Sequence, residues 1–377
     1  MTYRVGVIGG GQLARMMTPP AIALGIDIRV FSESEGSSAS LATTQIGDYT
    51  KVEQLREFAK TVDVITFDHE HVPLAVLETL ESEGISIQPS PKALKFAQNK
   101  LHMRKRLSEL SLPMPAWAEI KTADELDAFI AANGGVAILK TPIGGYDGKG
   151  VAVVRSSADA AEWLANIDSF DGSLLAEQKV EFVRELAQLV ARRPSGELSA
   201  WPLVQTVQRD GVCSEVLSPA PGSNSAQLSE AKRIAETVAN GLGVTGVLAV
   251  ELFETADGTL FINELAMRPH NSGHFSIEGS VTSQFEQHIR AVLDLPLGST
   301  EATAPHSVMI NLLGVDDSND FVSTYPQALA MHPTAKFHTY GKSARKGRKM
   351  GHITVTGSDA VAVLAEARQA ASVCLKG

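Results

Sequence analysis

The first 90 residues alternate between short apolar segments and amphipathic segments, and this order restricts the fold more than any other feature. Strand-like segments such as YRVGVIG, DIRVFS, DVITFD and ISIQPS are separated by helix-like ones such as KVEQLREFAKTV and LAVLETLESEG. Strands that alternate with helices favour a parallel sheet with helices packed on its faces. The sequence therefore predicts an N-terminal α/β domain.

The pattern changes in the middle of the chain. A single long helix, KALKFAQNKLHMRKRLSEL, is predicted next, and Pro113 and Pro115 then interrupt the chain. Apolar segments further on pair as antiparallel hairpins, one about Pro194-Ser195-Gly196 and one about Asp257-Gly258. With 377 residues, two or three domains are expected.

Composition excludes several classes of protein. The net charge of −10 argues against non-specific binding to nucleic acid. The two cysteines, Cys213 and Cys374, lie far apart and provide neither a disulfide framework nor zinc-ligand spacing. The sequence shows no signal segment and no apolar run long enough for a membrane span. We expect a soluble cytoplasmic protein that binds neither nucleic acid nor membrane.

A glycine-rich loop between two predicted strands indicates a phosphate-binding element. Four glycines fall between Gly144 and Gly150, and the strands VAILK and GVAVV flank them. Glycine lets backbone N–H groups approach phosphate oxygens closely, and Lys140 and Lys149 add positive charge. The Walker A spacing is absent, and the flanks are strand and strand rather than strand and helix. A flexible hairpin connection is the simpler alternative.

Two glutamates are predicted to face each other across the second hairpin. With a two-residue turn at Asp257-Gly258, the numbers of facing residues add up to 515, which pairs Glu251 with Glu264. Like charges directly opposite destabilise a sheet, and a divalent cation such as Mg²⁺ between them removes the repulsion. Their predicted neighbours on the same face are apolar: Ala249, Phe253, Ile262 and Ala266. A solvated acidic edge, or a longer turn with another register, is the alternative.

Two segments near the C-terminal side supply further polar groups. MRPHNSGH follows the second hairpin and carries Arg268, His270, Asn271 and His274, which suit anion binding, proton transfer or simply hydrogen bonds within a loop. AKFHTYGKSARKGRKMGHI is strongly basic in an acidic protein. Such an excess suits a phosphate-bearing ligand, although charge runs usually cover solvated faces.

The N-terminus carries a weak dinucleotide-binding pattern. GVIGGGQLA places Gly9, Gly11 and Ala14 at G-x-G-x-x-A spacing, and Glu33 ends the second predicted strand. A nicotinamide-dependent oxidoreductase is therefore an alternative function, although it leaves the glycine loop and the carboxylate pair unexplained.

Several motifs in order resemble the PurK family of ATP-grasp enzymes, the 5-(carboxyamino)imidazole ribonucleotide synthases. These are VGVIGGGQLARM, GGYDGKG, AEQKV, NELAMRPHNSGH and GRKMGH, and the similarity covers nearly the whole chain. The resemblance implies an α/β and α+β ATP-grasp architecture. Its parts would be an N-terminal α/β domain (1–98), an ATP-grasp domain (99–300) with a lid (about 113–178), and a small C-terminal domain (301–377).

The resemblance also implies an activity. Members join bicarbonate to 5-aminoimidazole ribonucleotide, using ATP and Mg²⁺ (or Mn²⁺), through carboxyphosphate, in purine biosynthesis, usually as homodimers. Two other functions remain open: another ATP-grasp ligase, such as a formate-dependent transformylase, or a catalytically silent nucleotide-binding regulator. Departures from the family pattern are Thr141-Pro142-Ile143 where arginine is common, Gln208 for a histidine, Met267 for a proline, and FDHEH around Glu70.

Site residues follow from the resemblance by position. ATP is expected to contact Lys100, Lys140, Gly145, Tyr146, Asp147, Gly148, Lys149, Gly150, Glu177, Gln178, Lys179, Val180, Glu185, Gln208, Asn263 and Glu264. The ribonucleotide is expected at Gln12, Glu70, Tyr146, Asp147, Arg268, His270, Asn271, Lys342 and Arg348. The expected catalytic residues are Lys140, Asp147, Arg268, His270 and Asn271. Mg²⁺ would bridge Glu251 and Glu264.

Overall fold

The computed structural model describes residues 2–144, 150–318 and 320–375. A parallel four-stranded sheet comes first, in the order β3-β2-β1-β4. Its strands are β1 Arg4–Ile8, β2 Asp27–Ser32, β3 Thr43–Ile46 and β4 Val64–Phe67. The helices of this part are α1 Gln12–Ala23, α2 Val52–Ala59 and α3 Leu74–Ser82. The predicted N-terminal α/β sheet is therefore confirmed.

One strand of this sheet was predicted wrongly. The segment ISIQPS forms only an isolated bridge between Ile87 and Ile65, and the edge strand β3 completes the sheet on its other side. Proline cannot donate to a ladder, so Pro89 and Pro91 prevent the segment from continuing as a strand. Strand β3 was not predicted, because its sequence TTQI lies half exposed at the sheet edge and does not alternate between apolar and polar residues.

The predicted long helix is in fact two helices, α4 Pro91–Gln98 and α5 Lys100–Glu109. Asn99 between them is extended, with φ −130° and ψ 111°. Its side-chain oxygen accepts hydrogen bonds from Leu101 N and His102 N, both at 3.0 Å. Asparagine competes in this way with the helical ladder and favours the N-cap position. The break puts Lys100 at the first position of α5.

A small antiparallel sheet, here called the lid sheet, follows in the order β5-β8-β6-β7. Its strands are β5 Trp117–Ile120, β6 Ala137–Lys140, β7 Val151–Val154 and β8 Leu174–Gln178. Its helices are α6 Ala123–Ala132 and α7 Ala161–Ala165. Strands β6 and β7 pair from Ala137↔Val154 to Lys140↔Val151. The glycine-rich segment therefore connects two strands, as predicted.

The central sheet has nine strands among the described residues. They are β9 Phe182–Arg192, β10 Leu198–Ala200, β11 Val204–Arg209, β12 Val212–Ser218, β13 Gly246–Thr255, β14 Leu260–Ala266, β15 His306–Leu313, β16 Lys336–Thr339 and β17 Lys349–Gly357. The order is β14-β13-β9-β11-β12-β15-β17-β16, and β10 pairs with β9 as predicted for the first hairpin. The last three strands thus extend the sheet that carries the second hairpin, because β15 pairs with β12.

Five helices accompany the central sheet: α8 Ser225–Leu242, α9 Ser276–Gly279, α10 Gln284–Val292, α11 Tyr325–Met331 and α12 Ala360–Cys374. Strand β9 shows how the sheet divides its faces. Leu186 and Val190 join the large apolar cluster that includes α8. Glu185 and Ala187 alternate with them and lie on the other face. That second face carries the site described below.

Helix α10 connects the N-terminal sheet to the central sheet through one buried histidine. His288 Nε2 lies 2.7 Å from Thr66 Oγ1 in β4, and His288 Nδ1 accepts a hydrogen bond from Val247 N in β13. Gly246 has φ +89°, and a Cβ there would lie 2.7 Å from the imidazole. Only glycine therefore fits this close approach. Within the described ranges, no helix is long and apolar enough to cross a bilayer.

Candidate active site

Glu251 and Glu264 lie together, but in a different register from the one predicted. The turn has three residues, closed by hydrogen bonds between Thr255 and Thr259, so the two-residue turn was wrong. A bulge between Val250 and Leu252 then restores the predicted register deeper in the sheet. At the bulge Glu251 opposes both Asn263 and Glu264. Bulges of this kind re-aim side chains next to functional sites.

The bulge also corrects the predicted surroundings of the pair. Ile262 was placed on the face of the carboxylates, yet it packs with Leu252 in the large apolar cluster on the opposite face. Ala249 and Ala266 do share the face of the glutamates in a smaller cluster. Phe253 also lies on this face, opposite Glu185, and its ring stacks on Phe182, so apolar groups flank the glutamates toward the turn as well as at the deep end.

The structure opposes ionisation of Glu251. Burial, followed by the negative charges of Glu264 and Glu185, raises the pKa of Glu251 to about 7. Glu264 is more exposed, and its Oε1 lies 3.8 Å from Lys100 Nζ. In the described part of the chain, no group of three or more His, Cys, Asp or Glu side chains could hold a metal ion. Two carboxylates fit Mg²⁺ when phosphate oxygens and water complete its coordination.

Lys140 is held by a buried charge network. Its Nζ lies 2.8 Å from Glu177 Oε2 and donates to Asn263 Oδ1 at 3.3 Å. Arg104, fully buried in α5, donates to Glu177 Oε1 at 2.5 Å and to the carbonyl oxygens of Ile262 and Asn263. Burial raises the pKa of Glu177, but the Arg104 and Lys140 charges outweigh it and lower that pKa to about 2. The network aims the Lys140 ammonium at the hairpin.

Arg104 was not among the predicted site residues, although the sequence carries a signal for it. Arg104 lies between Leu101 and Leu107 at helical spacing, in a stripe that is otherwise apolar. An arginine at such a position needs buried partners. The partners come from segments that are remote in the sequence, so the spacing alone does not identify them.

Lys100 reaches the base of the glycine loop. Its backbone N donates to Pro142 O at 2.9 Å, and its Nζ donates to Gly144 O at 3.2 Å. Gly150 accepts a hydrogen bond from Thr141 N and has φ +68°. The remaining predicted loop residues, Gly145, Tyr146, Asp147, Gly148 and Lys149, lie outside the described residues.

The residues predicted for the adenosine part lie along the lid hinge and the central sheet. The Glu177 side chain is occupied by its ion pairs with Arg104 and Lys140, and Gln178 N donates to Ala116 O at 2.8 Å. Glu185 lies opposite Phe253 and Thr206, on the same face as Glu251. Burial raises the pKa of Glu185. Gln208 adjoins a bulge in β11, on the strand next to Glu185.

The MRPHNSGH turn brings its polar groups to the carboxylates. His270 Nε2 lies 3.5 Å from Glu251 Oε1. Burial, and then the charges of Arg268 and Lys349, lower the pKa of His270 to about 3. The imidazole is therefore neutral near pH 7 and can exchange hydrogen bonds without carrying charge. Glu70 accepts from Met267 N at 2.6 Å, and its other oxygen lies 3.3 Å from Arg268 Nε.

Lys342, one of the predicted phosphate-binding residues, contacts helix α1 of the N-terminal part of the chain. Lys342 Nζ donates to Gln12 Oε1. Burial lowers the pKa of Lys342 to about 8, Asp68 opposes this, and the neighbouring charges of Arg348 and Lys349 add to it. Arg348 donates to the carbonyl and hydroxyl oxygens of Ser343. An anion bound here would relieve repulsion among the three cations.

Two backbone N–H groups of the GVIGGGQLA segment already donate to carboxylates of the chain itself. Glu33 accepts from Gly10 N at 3.3 Å, and Asp68 accepts from Ala14 N at 2.7 Å. A Cβ on Gly11 would lie 1.9 Å from the Asp68 carboxylate, so this glycine makes room for Asp68 rather than for a cofactor. The nicotinamide alternative therefore has no pyrophosphate site at this turn.

Three protein families match successive parts of the chain. Residues 1–98 match the ribonucleotide synthetase preATP-grasp domain, residues 105–285 the ATP-grasp domain, and residues 307–366 the phosphoribosylaminoimidazole carboxylase C-terminal domain. The first match holds the parallel sheet, the second holds the lid sheet and strands β9 to β14, and the third holds most of β15 and all of β17, which extend the central sheet. The ATP-grasp architecture is thereby confirmed.

Relatives of known name match over almost the full length. The N5-carboxyaminoimidazole ribonucleotide synthase of Mycobacterium tuberculosis is 48% identical over 372 residues, which is 98% of this chain and 86% of the relative. The enzyme of the same name from Corynebacterium ammoniagenes is 46% identical and covers 97% of this chain and 91% of its own.

Solved structures agree with these relatives. A carboxyaminoimidazole ribonucleotide synthase from Aspergillus clavatus in complex with ATP superimposes with a TM-score of 0.89 at 34% identity, covering 99% of this chain and 98% of its own. A second structure from that organism, in complex with ADP and 5-aminoimidazole ribonucleotide, gives 0.89 at 33% identity, covering 100% of this chain and 99% of its own.

Proposed function

The chain belongs to the N5-carboxyaminoimidazole ribonucleotide synthase family of ATP-grasp ligases, and on this premise we propose how its side chains divide the work. The reaction is the ATP-dependent carboxylation of 5-aminoimidazole ribonucleotide by bicarbonate, a step of purine biosynthesis. It yields the carboxyamino product, ADP and phosphate. One observation carries the assignment of roles: Glu251 lies between the nucleotide-side groups and His270, which begins the ribonucleotide side.

The nucleotide end is assigned to the hairpin, the lid sheet and α5. Lys140, positioned by Glu177 and Asn263, would hold a phosphate oxygen of ATP and neutralise charge as the γ-phosphoryl group moves. Lys100 would assist at the loop base, together with the residues Gly145 to Lys149. Glu185 and the backbone from Gln178 to Val180 would hold the adenosine part.

Mg²⁺ is proposed at Glu251 and Glu264. Burial, and then repulsion from Glu264 and Glu185, raises the pKa of Glu251, and a dication held by Glu251 and Glu264 would oppose both effects. When bound, Mg²⁺ would withdraw charge from the phosphate oxygens. The Aspergillus clavatus structures contain ATP in one case and ADP with 5-aminoimidazole ribonucleotide in the other, and the metal is our proposal.

The ribonucleotide end is assigned to the 268–271 turn and the cation cluster. Lys342 and Arg348 would hold the phosphate, with Gln12 orienting Lys342. Glu70 fixes Arg268 and the turn, while neutral His270 and Asn271 would contact the substrate. Bicarbonate would attack the γ-phosphorus of ATP and displace ADP, which forms carboxyphosphate, and carboxyphosphate would break down to CO₂ and phosphate. The ribonucleotide amine would then attack CO₂ in a site closed to water.

A phosphate-release assay with each component omitted in turn tests the function. Release is expected only when ATP, bicarbonate and 5-aminoimidazole ribonucleotide are all present. Formate in place of bicarbonate serves as the matched control, because a transformylase would accept it. Release that is independent of the ribonucleotide, or supported by formate, would overturn the assignment. A homodimeric state and a cytoplasmic location stay predictions.

A further inference from the structure

Two buried carboxamides form a fixed pair beneath the candidate substrate turn. Asn271 begins the 3-10 turn Asn271–Gly273 and is 8% exposed, and Asn311 in β15 is 4% exposed. Asn311 Nδ2 donates to Asn271 Oδ1 at 3.0 Å and to Cys213 O at 2.8 Å. No role in the reaction has been assigned to Asn311 above.

The Cys213 carbonyl determines how both amides are oriented. A carbonyl oxygen only accepts, so the amide nitrogen of Asn311 must face it, and the reverse orientation would set two acceptors against each other. With Asn311 so fixed, Asn271 must turn its oxygen toward Asn311. The backbone carbonyl of Cys213 in β12 therefore sets the orientation of the Asn271 amide, although it contacts only Asn311, which in turn contacts Asn271.

This orientation leaves one donor without a partner. Asn271 Nδ2 is buried and makes no hydrogen bond to any described residue, and the acceptor Asn311 Oδ1 is buried without a hydrogen bond as well. Buried amide donors without a partner are rare in folded proteins, because the lost hydration is not replaced. Asn271 follows His270 directly, and the His270 imidazole lies 3.5 Å from Glu251. The unused donor thus belongs to the turn that we assign to substrate.

We propose that Asn311 is a positioning residue that holds the NH₂ group of Asn271 toward a hydrogen-bond acceptor of the substrate. The inference rests on the proposed function and adds a residue from the C-terminal strands to it. The acceptor is an oxygen of bicarbonate or an acceptor atom of the ribonucleotide. The kinetic constants of the two substrates distinguish these sources.

The variant Asn311→Asp tests the proposal with almost no change of shape. Its carboxylate cannot donate to Asn271 Oδ1 and instead accepts from Asn271 Nδ2, which reverses the Asn271 amide. The KM of one substrate, bicarbonate or the ribonucleotide, is expected to rise about 5- to 150-fold, the range for one hydrogen bond to a buried donor. The KM of ATP is expected to stay within about twofold.

Two further variants separate positioning from stability. Thr354→Val removes a buried hydroxyl from the neighbouring strand β17 and is the matched control, with wild-type KM values expected. Asn311→Ser abolishes the fixed orientation without adding charge, so the KM rise should persist even if Asn311→Asp unfolds. Thermal melting of every variant records the stability effect separately.

The decisive comparison uses Asn271→Ala as a second background. If Asn311 acts through Asn271, Asn311→Asp changes no KM further once Asn271 is alanine. An equal effect in both backgrounds, or unchanged KM values in folded Asn311→Asp and Asn311→Ser, would overturn the proposal and indicate a structural water at Asn271. Wild-type protein without ribonucleotide-dependent phosphate release would instead reject the proposed function.

Discussion

At the scale of the residue, Glu251 is a buried carboxyl group beside a second glutamate, and we assign a cation to this pair. With a pKa of about 7, its carboxyl group is about half protonated near neutrality in the protein alone. The bulge turns Glu251 toward Asn263 and Glu264, so the two glutamate side chains stay close enough to repel each other when both are ionised. A cation would favour the ionised form of both glutamates, and the binding energy would include relief of this repulsion.

Glu264→Gln is expected to lower ATP turnover at least about 100-fold while the protein stays folded, because one of two anionic oxygens that hold the metal is lost. Phosphate release and circular dichroism measure the two effects. Glu78→Gln, the same change at an exposed position of α3, is the control. Undiminished turnover in folded Glu264→Gln protein would reject the metal assignment.

Lys342→Gln and Arg348→Gln are expected to raise the KM of the ribonucleotide about 10- to 100-fold, because each removes a charged hydrogen bond to phosphate. The KM of ATP should change far less. Lys346→Gln alters an exposed lysine of the same segment and should leave both constants unchanged. Equal increases for the two substrates would contradict a role in binding the ribonucleotide phosphate.

At the scale of the element, helix α5 connects the lid sheet to the hairpin through one side chain. Arg104 bonds Glu177 at the end of β8 and two carbonyl oxygens of β14. The break at Asn99 sets the start of this helix, and so fixes both Lys100 and Arg104 in space. Three elements that we assign to the nucleotide are thus joined by the buried contacts of Arg104.

Arg104→Met is expected to destabilise the protein by about 3–5 kcal/mol, because Glu177 would keep a buried charge with one partner fewer. The KM of ATP should rise as well, since the Glu177 carboxylate that positions Lys140 would no longer be held by Arg104. Urea unfolding and steady-state kinetics measure these effects. Lys105→Met, next to it in α5 but half exposed, should cost about 1 kcal/mol or less. Similar stability losses in the two variants would contradict this role of Arg104.

How far the sequence predicts these elements depends on the range of the interactions that define them. Alternation of strands and helices, the glycine segment between two strands and the proximity of Glu251 to Glu264 are local properties, and the structure confirms them. The bulge at Glu251 and the partners of Arg104 depend on contacts between remote segments. Sequence spacing carries no information on such contacts, so the turn length and the side of Ile262 were wrong.

At the scale of the whole molecule, four buried histidines make folding depend on neutral imidazoles. Burial lowers the pKa of His270 and His288 to about 3, and it lowers the pKa of His274 and His352 well below the ordinary value. They lie in the site turn, at the junction of two sheets and in β17. Protonation in the unfolded chain therefore opposes the fold at several places at once.

Stability is expected to be greatest above pH 6.5 and to fall as the pH decreases below it. Below pH 6.5 these histidines bind protons in the unfolded chain but stay neutral in the folded protein. Each of them therefore lowers the free energy of unfolding by about 1.4 kcal/mol per pH unit. Glu251, with its raised pKa, opposes the trend by one proton. Urea unfolding between pH 7.5 and 5 measures the slope. A stability that is constant over this range would contradict the prediction.

The pairing of β12 with β15 has a consequence for how the polypeptide is made. Residues 306–313 are synthesised roughly 90 positions after residues 212–218, so the edge of β12 that later pairs with β15 stays unpaired until then, while its other edge can pair with β11. An open strand of this kind invites association between nascent chains. Arrested synthesis that stops before residue 306 should therefore leave a species that aggregates, whereas the completed chain closes that border by itself.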